Sequence, residues 1–157
     1  MGACENLPFD MRTLILAIGN PARGDDALAP LLVERLAAKP LPPGTERLAV
    51  IQLQPEMAFD LIGYGRVVLV DAGIGTPPPF AFEPLFPRRD DSWTSHRLSP
   101  WALLQICHEV LKTPPPPAFL LTISGERFDL GAPLSEKGHH HLERAFLFLR
   151  RWLHRFR

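Results

Sequence analysis

Six residues of almost unbroken apolar character, Thr13 to Ile18, stop at Gly19-Asn20-Pro21, and two adjacent carboxylates, Asp25 and Asp26, follow in the same loop. A short run closed by turn residues reads as a strand covered on both faces, and such strands belong to parallel sheets flanked by helices. In that architecture the loop between the first strand and the first helix normally cradles a phosphate with backbone N–H groups and the positive helix end. Asp25 and Asp26 put two negative charges there instead. They repel a phosphate and offer oxygen ligands to a cation.

The alternation of apolar runs with amphipathic stretches continues along the chain, as expected of βαβ units. Leu28, Leu31, Leu32, Arg35 and Leu36 have helical spacing, with Asp25 or Asp26 as N-cap and the segment from Pro40 to Gly44 as terminator. Arg47 to Leu53 reads as a second strand, Glu56 to Ile62 as a short helix, and Val67 to Val70 as a central strand ending on Asp71. Prolines 77, 78, 79, 84 and 87 leave only an edge strand near Phe80 to Leu85, and an irregular loop is expected from Pro87 to Ser95. Ser99 caps a helix with Pro100 at its first position, Pro114 to Pro117 stiffen the connection into a strand from Ala118 to Ser124, and a long helix runs from about Ser135 to Phe156. The expected fold is α/β: a three-layer α/β/α sandwich around a mostly parallel, twisted sheet of about five strands. Residues 1–157 are read as one domain, with 1–11 a loosely ordered N-terminal extension.

Composition removes several function classes. Lysine plus arginine and aspartate plus glutamate are 17 each, so no global field favours nucleic acid or an anionic membrane. No apolar run approaches the roughly 20 residues that span a bilayer, and the N-terminus lacks a signal-peptide pattern. Cys4 and Cys107 have neither metal-pair spacing nor the density of a disulfide scaffold, which fits a reducing cytoplasm. A cytoplasmic monomer is expected.

Asp26 follows the first strand and Asp71 ends the third, so both belong to the carboxyl rim of the sheet, where α/β proteins bind ligands. A carboxylate at the end of a buried strand is costly unless a cation or basic partner neutralises it. His96, in the loop before the next helix, is the third candidate on that rim. Two carboxylates and an imidazole form an open set suited to zinc, nickel, iron or manganese. The ordinary alternatives are a helix N-cap for Asp26, an Asx turn before Gly73 for Asp71, and a surface position for His96. His139, His140 and His141 splay around a helix and read as a solvated start, and His108 as a partly buried core residue. Ile123-Ser124-Gly125-Glu126 lacks the first glycine of a serine-hydrolase elbow.

Four blocks in order carry a family resemblance: Ala17 through Gly19-Asn20-Pro21 to Asp25-Asp26, Val67 to Ala72, Ser95-His96-Arg97-Leu98-Ser99, and Leu121 to Phe128 running on to Ser135. Together they resemble the nickel-iron hydrogenase maturation proteases, endopeptidases that trim the C-terminus of the hydrogenase large-subunit precursor. The resemblance implies that the metal-binding acids fall on Asp26 and Asp71 and the histidine on His96. Members often carry glutamate where this chain has Asp26, which is one methylene shorter. Gln52-Leu53-Gln54-Pro55-Glu56 replaces the Asp-Gly-Gly-Thr type of loop found in many members and looks closer to the branch serving cytosolic bidirectional or NAD-linked hydrogenases.

The implied reaction is hydrolysis of one peptide bond in a large-subunit precursor that already holds nickel, so the metal arrives with the substrate, although another divalent metal could occupy the ligands in vitro. Asp25 is placed as a proton acceptor for the attacking water. Three rivals remain open: a hydrolase with its own zinc, a non-catalytic nickel or assembly chaperone, and a nucleotide-binding module. The last is weakened by the acidic loop and by the absence of a Gly-x-Gly-x-x-Gly array.

Overall fold

The computed structural model describes residues 7–89 and 97–155. Five strands, β1 (Thr13–Ile18), β2 (Thr45–Val50), β3 (Arg66–Gly73), β4 (Phe80–Leu85) and β5 (Ala118–Ser124), form one sheet in the order β2-β1-β3-β5-β4. The first three pairings in that order are parallel, and only β4 runs antiparallel, against β5. Four α-helices complete the fold: α1 (Leu28–Ala37), α2 (Met57–Leu61), α3 (Pro100–Glu109) and α4 (Glu136–Arg155). The α/β class and the five-stranded, mostly parallel sheet agree with the sequence-based expectation.

The unbroken apolar strands are explained by two cores. Ile15, Ala17, Val68, Val70, Leu121 and Ile123 face α1 and α4, whose Leu28, Leu32, Leu36, Leu142, Phe146, Leu149 and Leu153 close that side. Their neighbours Leu14, Leu16, Ile18, Val67 and Leu69 point the other way, onto Ala58 and Leu61 of α2 and Leu103, Leu104 and Cys107 of α3. The strand period of two sorts one apolar run between two layers of helix. In α4 the buried residues recur at Leu142, Ala145, Phe146, Leu149 and Leu153, the stripe of an amphipathic helix lying on a sheet.

Pro84 is tolerated because β4 is an edge strand with one unpaired side. Phe82 of that strand lies 5.5 Å from Phe119, 4.9 Å from Phe148 and 5.3 Å from Trp152, ring centroid to centroid, so aromatic packing binds the edge to α4.

Some boundaries differ from the sequence reading. β2 begins two residues earlier than expected and ends at Val50, leaving Ile51 exposed. Asp71 does not end β3, which continues through Ala72 and Gly73 along β5. Neither Asp25 nor Asp26 caps α1: both lie in a single 3-10 turn, Gly24–Ala27, that runs straight into the helix through Ala27. His108 is exposed, falling one position off the buried stripe of Leu103, Leu104 and Cys107. Among the described residues, no helix is long and apolar enough to cross a membrane.

Candidate active site

The sheet order places a cleft where the chemistry was expected. From β1 the chain passes through α1 to β2 at the sheet edge, then returns through α2 on the opposite face to β3, on the other side of β1. Strand order therefore reverses between β1 and β3, the position at which open α/β sheets bind ligands. Pairing between β1 and β3 stops at Ala17 and Val70, whereas β3 and β5 stay paired as far as Gly73 and Ser124. Beyond Ile18 the chain bends towards β2, with the Gly19 N–H donating to the Val50 carbonyl at 2.9 Å. A notch opens between the two strands, and Asp71 is the first β3 residue beside it.

Asp26 enters this notch from the other wall. Together with Asp71 it lines a cavity of about 350 Å³ whose apolar surface includes Ile18, Leu53 and Trp101, and to which Arg97 contributes a cation. The Asp26 side chain is buried, and its Oδ2 accepts the Asn20 N–H at 2.7 Å. The Asn20 side chain in turn accepts the Ala22 N–H at 2.9 Å, an Asx turn that shapes the loop. Gly19 is required here, because a Cβ at this position would collide with the Asp26 carbonyl oxygen.

Asp71 is half-buried, and its own neighbour Ala72 donates to Oδ1 at 2.8 Å. Burial pushes its carboxyl up to about 7, opposed by that amide, reinforced by the negative charge of Asp26 and opposed again by Arg97. Burial and the neighbouring Asp26 thus disfavour an ionised Asp71, a condition that a cation with vacant coordination positions would relieve. Two carboxylates supply hard oxygen donors for such an ion.

His96, the third residue expected in the set, lies outside the described residues, as does most of the loop expected from Pro87 to Ser95. Arg97 and Leu98, which follow it directly, line the cavity. Among the described residues, no three His, Cys, Asp or Glu side chains gather as a group able to hold a metal ion.

Asp25 has a different environment from its neighbour. With no accessible surface, it accepts the Ser135 N–H on Oδ1 at 2.8 Å, and on Oδ2 the Ser135 hydroxyl at 2.7 Å, the Glu126 N–H at 2.8 Å and the Arg127 N–H at 3.1 Å. Burial alone would raise its pKa, but the Glu126 and Ser135 amides, the Ser135 hydroxyl and the Arg127 amide outweigh burial and hold the carboxyl below its ordinary value. A proton acceptor must present a lone pair to its water. The expected role of Asp25 as that acceptor meets an obstacle in this geometry: both oxygens are committed inside the protein.

Other sequence candidates settle as structural groups. His139 and His140 are exposed, while His141 is half-buried with Nδ1 2.8 Å from the Ser124 carbonyl oxygen, so only part of the triple histidine is a solvated helix start. Cys107 is buried, with its thiol pKa raised by burial, and its Sγ lies 3.7 Å from the Ala58 carbonyl. A larger cavity of about 520 Å³ opens beside Thr13, Thr45 and Arg66, at the amino ends of the strands and away from the acid pair. The sequence reading missed Arg97 and Trp101 as cavity residues, and only the proximity of Arg97 to His96 signalled the former.

No protein-family model matches this chain, and no curated protein matches it significantly in sequence. Several solved structures do match in fold. A NiFe hydrogenase maturation protease, HycI from Thermococcus kodakarensis KOD1, gives a TM-score of 0.71 at 23% identity, with 90% of this chain and 92% of that one covered. The hydrogenase maturating endopeptidase HybD from E. coli gives 0.73 at 20% identity over 92% of this chain and 93% of that one. HybD from Thermococcus kodakarensis, also a NiFe hydrogenase maturation protease, gives 0.66 at 22% identity, covering 91% of this chain and 99% of that one. The likeness spans nearly the whole of each molecule.

Proposed function

From a fold shared along most of its length with hydrogenase maturation proteases, we propose that this chain is an endopeptidase that removes the C-terminal extension of a nickel-loaded NiFe hydrogenase large-subunit precursor. The observation that carries the proposal is the acid pair Asp26 and Asp71, lining one cavity at the β1/β3 notch where burial and the Asp26 charge disfavour an ionised Asp71. Nickel belongs to the substrate in this reading. Asp26, Asp71 and His96 complete its coordination when the precursor docks, and His96 directly precedes cavity-lining Arg97 in the sequence.

The arrangement makes cleavage conditional on loading. Without a cation, the two carboxylates repel one another and Asp71 is partly protonated at neutral pH. A nickel ion entering with the substrate would favour the ionised form of Asp71, and the chemistry it would supply is polarisation of the scissile carbonyl or a lowered pKa of a bound water. Binding and activation thus use the same charge.

The test is to incubate the protein with nickel-loaded and metal-free precursor in parallel and weigh the products by mass spectrometry. Loss of a C-terminal peptide from the loaded precursor alone is expected, with His96→Ala and Asp71→Asn inactive. Cleavage independent of the precursor's nickel, by protein that retains stoichiometric zinc, would identify a zinc hydrolase instead. Complex formation with no change of mass would identify a chaperone.

A further inference from the structure

The loop that carries Asp26 is held from behind. The Gly131 N–H donates to the Ala22 carbonyl at 2.7 Å, the Gly24 N–H to the Ala132 carbonyl at 3.2 Å and the Asp25 N–H to the Arg127 carbonyl at 2.6 Å, joining residues 22–25 to the segment between β5 and α4. Gly24 has φ +51°, and a Cβ there would strike the Arg127 carbonyl. The Asp25 carboxylate occupies a recess built by missing side chains. A Cβ on Gly138 would lie 2.6 Å from its Oδ1, and one on Gly125 would lie 3.0 Å from its Cβ.

The recess is also the N-terminus of α4. Ser135 accepts the Gly138 N–H on its Oγ at 2.9 Å, as an N-cap does, while donating both its own N–H and its hydroxyl to Asp25. The Asp25 charge therefore faces the positive end of a 20-residue helix through the capping residue. In a turn of about three residues per revolution, adjacent side chains diverge by roughly 120°. With Asp25 drawn towards α4 on one face of the sheet, Asp26 is directed to the cavity, whose Ile18 and Leu53 belong to the other core.

We infer that Asp25 is a positioning residue: its clamp on Ser135 and the 126–127 amides fixes the 3-10 turn so that Asp26 faces the β1/β3 notch, and it takes no part in proton transfer. The use of Asp26 as a nickel ligand rests on the proposed function, but its orientation does not. Two measurements on the full chain separate them. Hydrogen exchange of the Asn20 amide, which donates to Asp26, reports orientation without metal, and calorimetric titration with Ni²⁺ alone reports ligation.

In Asp25→Asn, whose side-chain amide sets an N–H group against N–H donors, Asn20 exchange is expected to accelerate about tenfold or more and Ni²⁺ affinity to fall by about 10- to 100-fold, the range typical of lost outer-shell support. The Gly65 amide, bonded to the Arg12 carbonyl at the far end of the sheet, is the control and should not change. Ser135→Ala, which removes one donor to Asp25, should show the same pattern at smaller amplitude and serves if Asp25→Asn does not fold. The inference is overturned if Asn20 exchange stays at the parental value in the folded variant, or if Asn20 and Gly65 accelerate equally, the mark of general destabilisation. An Asp26→Asn variant that processes nickel-loaded precursor at the parental rate overturns the proposed function, while Asn20 still decides the positioning role.

Discussion

Asp25 and Asp26 are chain neighbours in opposite circumstances. One carboxylate is enclosed at a helix N-terminus with four donors and is held ionised below its usual range, whereas the other shares a cavity with Asp71, whose own acid is pushed up to about 7. The difference teaches that hydrogen-bond supply, more than burial alone, decides whether a buried acid stabilises the fold or stands ready for a ligand. The saturated acid serves architecture. Asp71, with one amide donor against its burial, stays a carboxyl whose ionised form is disfavoured.

The comparison breaks most severely at the saturated side. Asp25→Ala orphans the donors of Glu126, Arg127 and Ser135, and should lower unfolding stability by roughly 3–5 kcal/mol in guanidinium titration. Next in size is Asp71→Asn, expected to slow processing of nickel-loaded precursor by at least about 100-fold, since losing a ligand should cost no less than losing its outer-shell support. Stability at neutral pH should not fall in this variant, because the asparagine still accepts the Ala72 N–H and removes a carboxylate that burial disfavours. A large drop in melting temperature would show that Asp71 is structural.

A pH titration sharpens the contrast further. The native Asp71 carboxyl keeps its proton to about 7, against an ordinary 3.8, so the native state binds more protons across that window and this residue's contribution to stability declines as pH rises through it. Asp25 has the reverse sign: its depressed pKa adds stability above 3.8 that is lost as pH falls through the native value. Because a ligand must be deprotonated, Ni²⁺ affinity should rise about tenfold between roughly pH 6 and 8 for a single group titrating near 7, as read by calorimetry in a non-coordinating buffer. The smallest effect belongs to Arg97→Ala, which removes a cation that lowers the Asp71 pKa and should raise its carboxyl titration midpoint by a few tenths of a unit in carbon NMR.

Legibility in the sequence followed the range of the interactions involved. β1, β5 and the start of α3 were readable because apolar runs, proline and a serine cap act within a few residues: Ser99 accepts the Ala102 N–H and Pro100 occupies the first turn, as expected. β2 was placed too far along because Ile51 and Leu53 drew the apolar pattern forward, while the actual strand takes its register from Thr13 opposite Thr45 and continues only to Ile18 opposite Val50. The separate fates of Asp25 and Asp26 were not readable. The donors to Asp25 lie 101, 102 and 110 residues further along, and no local pattern announces contacts of that span. The acid at the notch was easier to foresee, since the carboxyl end of a parallel strand is set by topology.

That long span has a consequence for synthesis. A nascent chain emerging from the ribosome can pair β1, β2 and β3 early, yet the turn carrying Asp26 lacks its backing until Ser135 and the start of α4 have been made. Fragments truncated before that point should fold as incomplete sheets without a formed acid turn, so the turn is completed only after residue 135 has been synthesised.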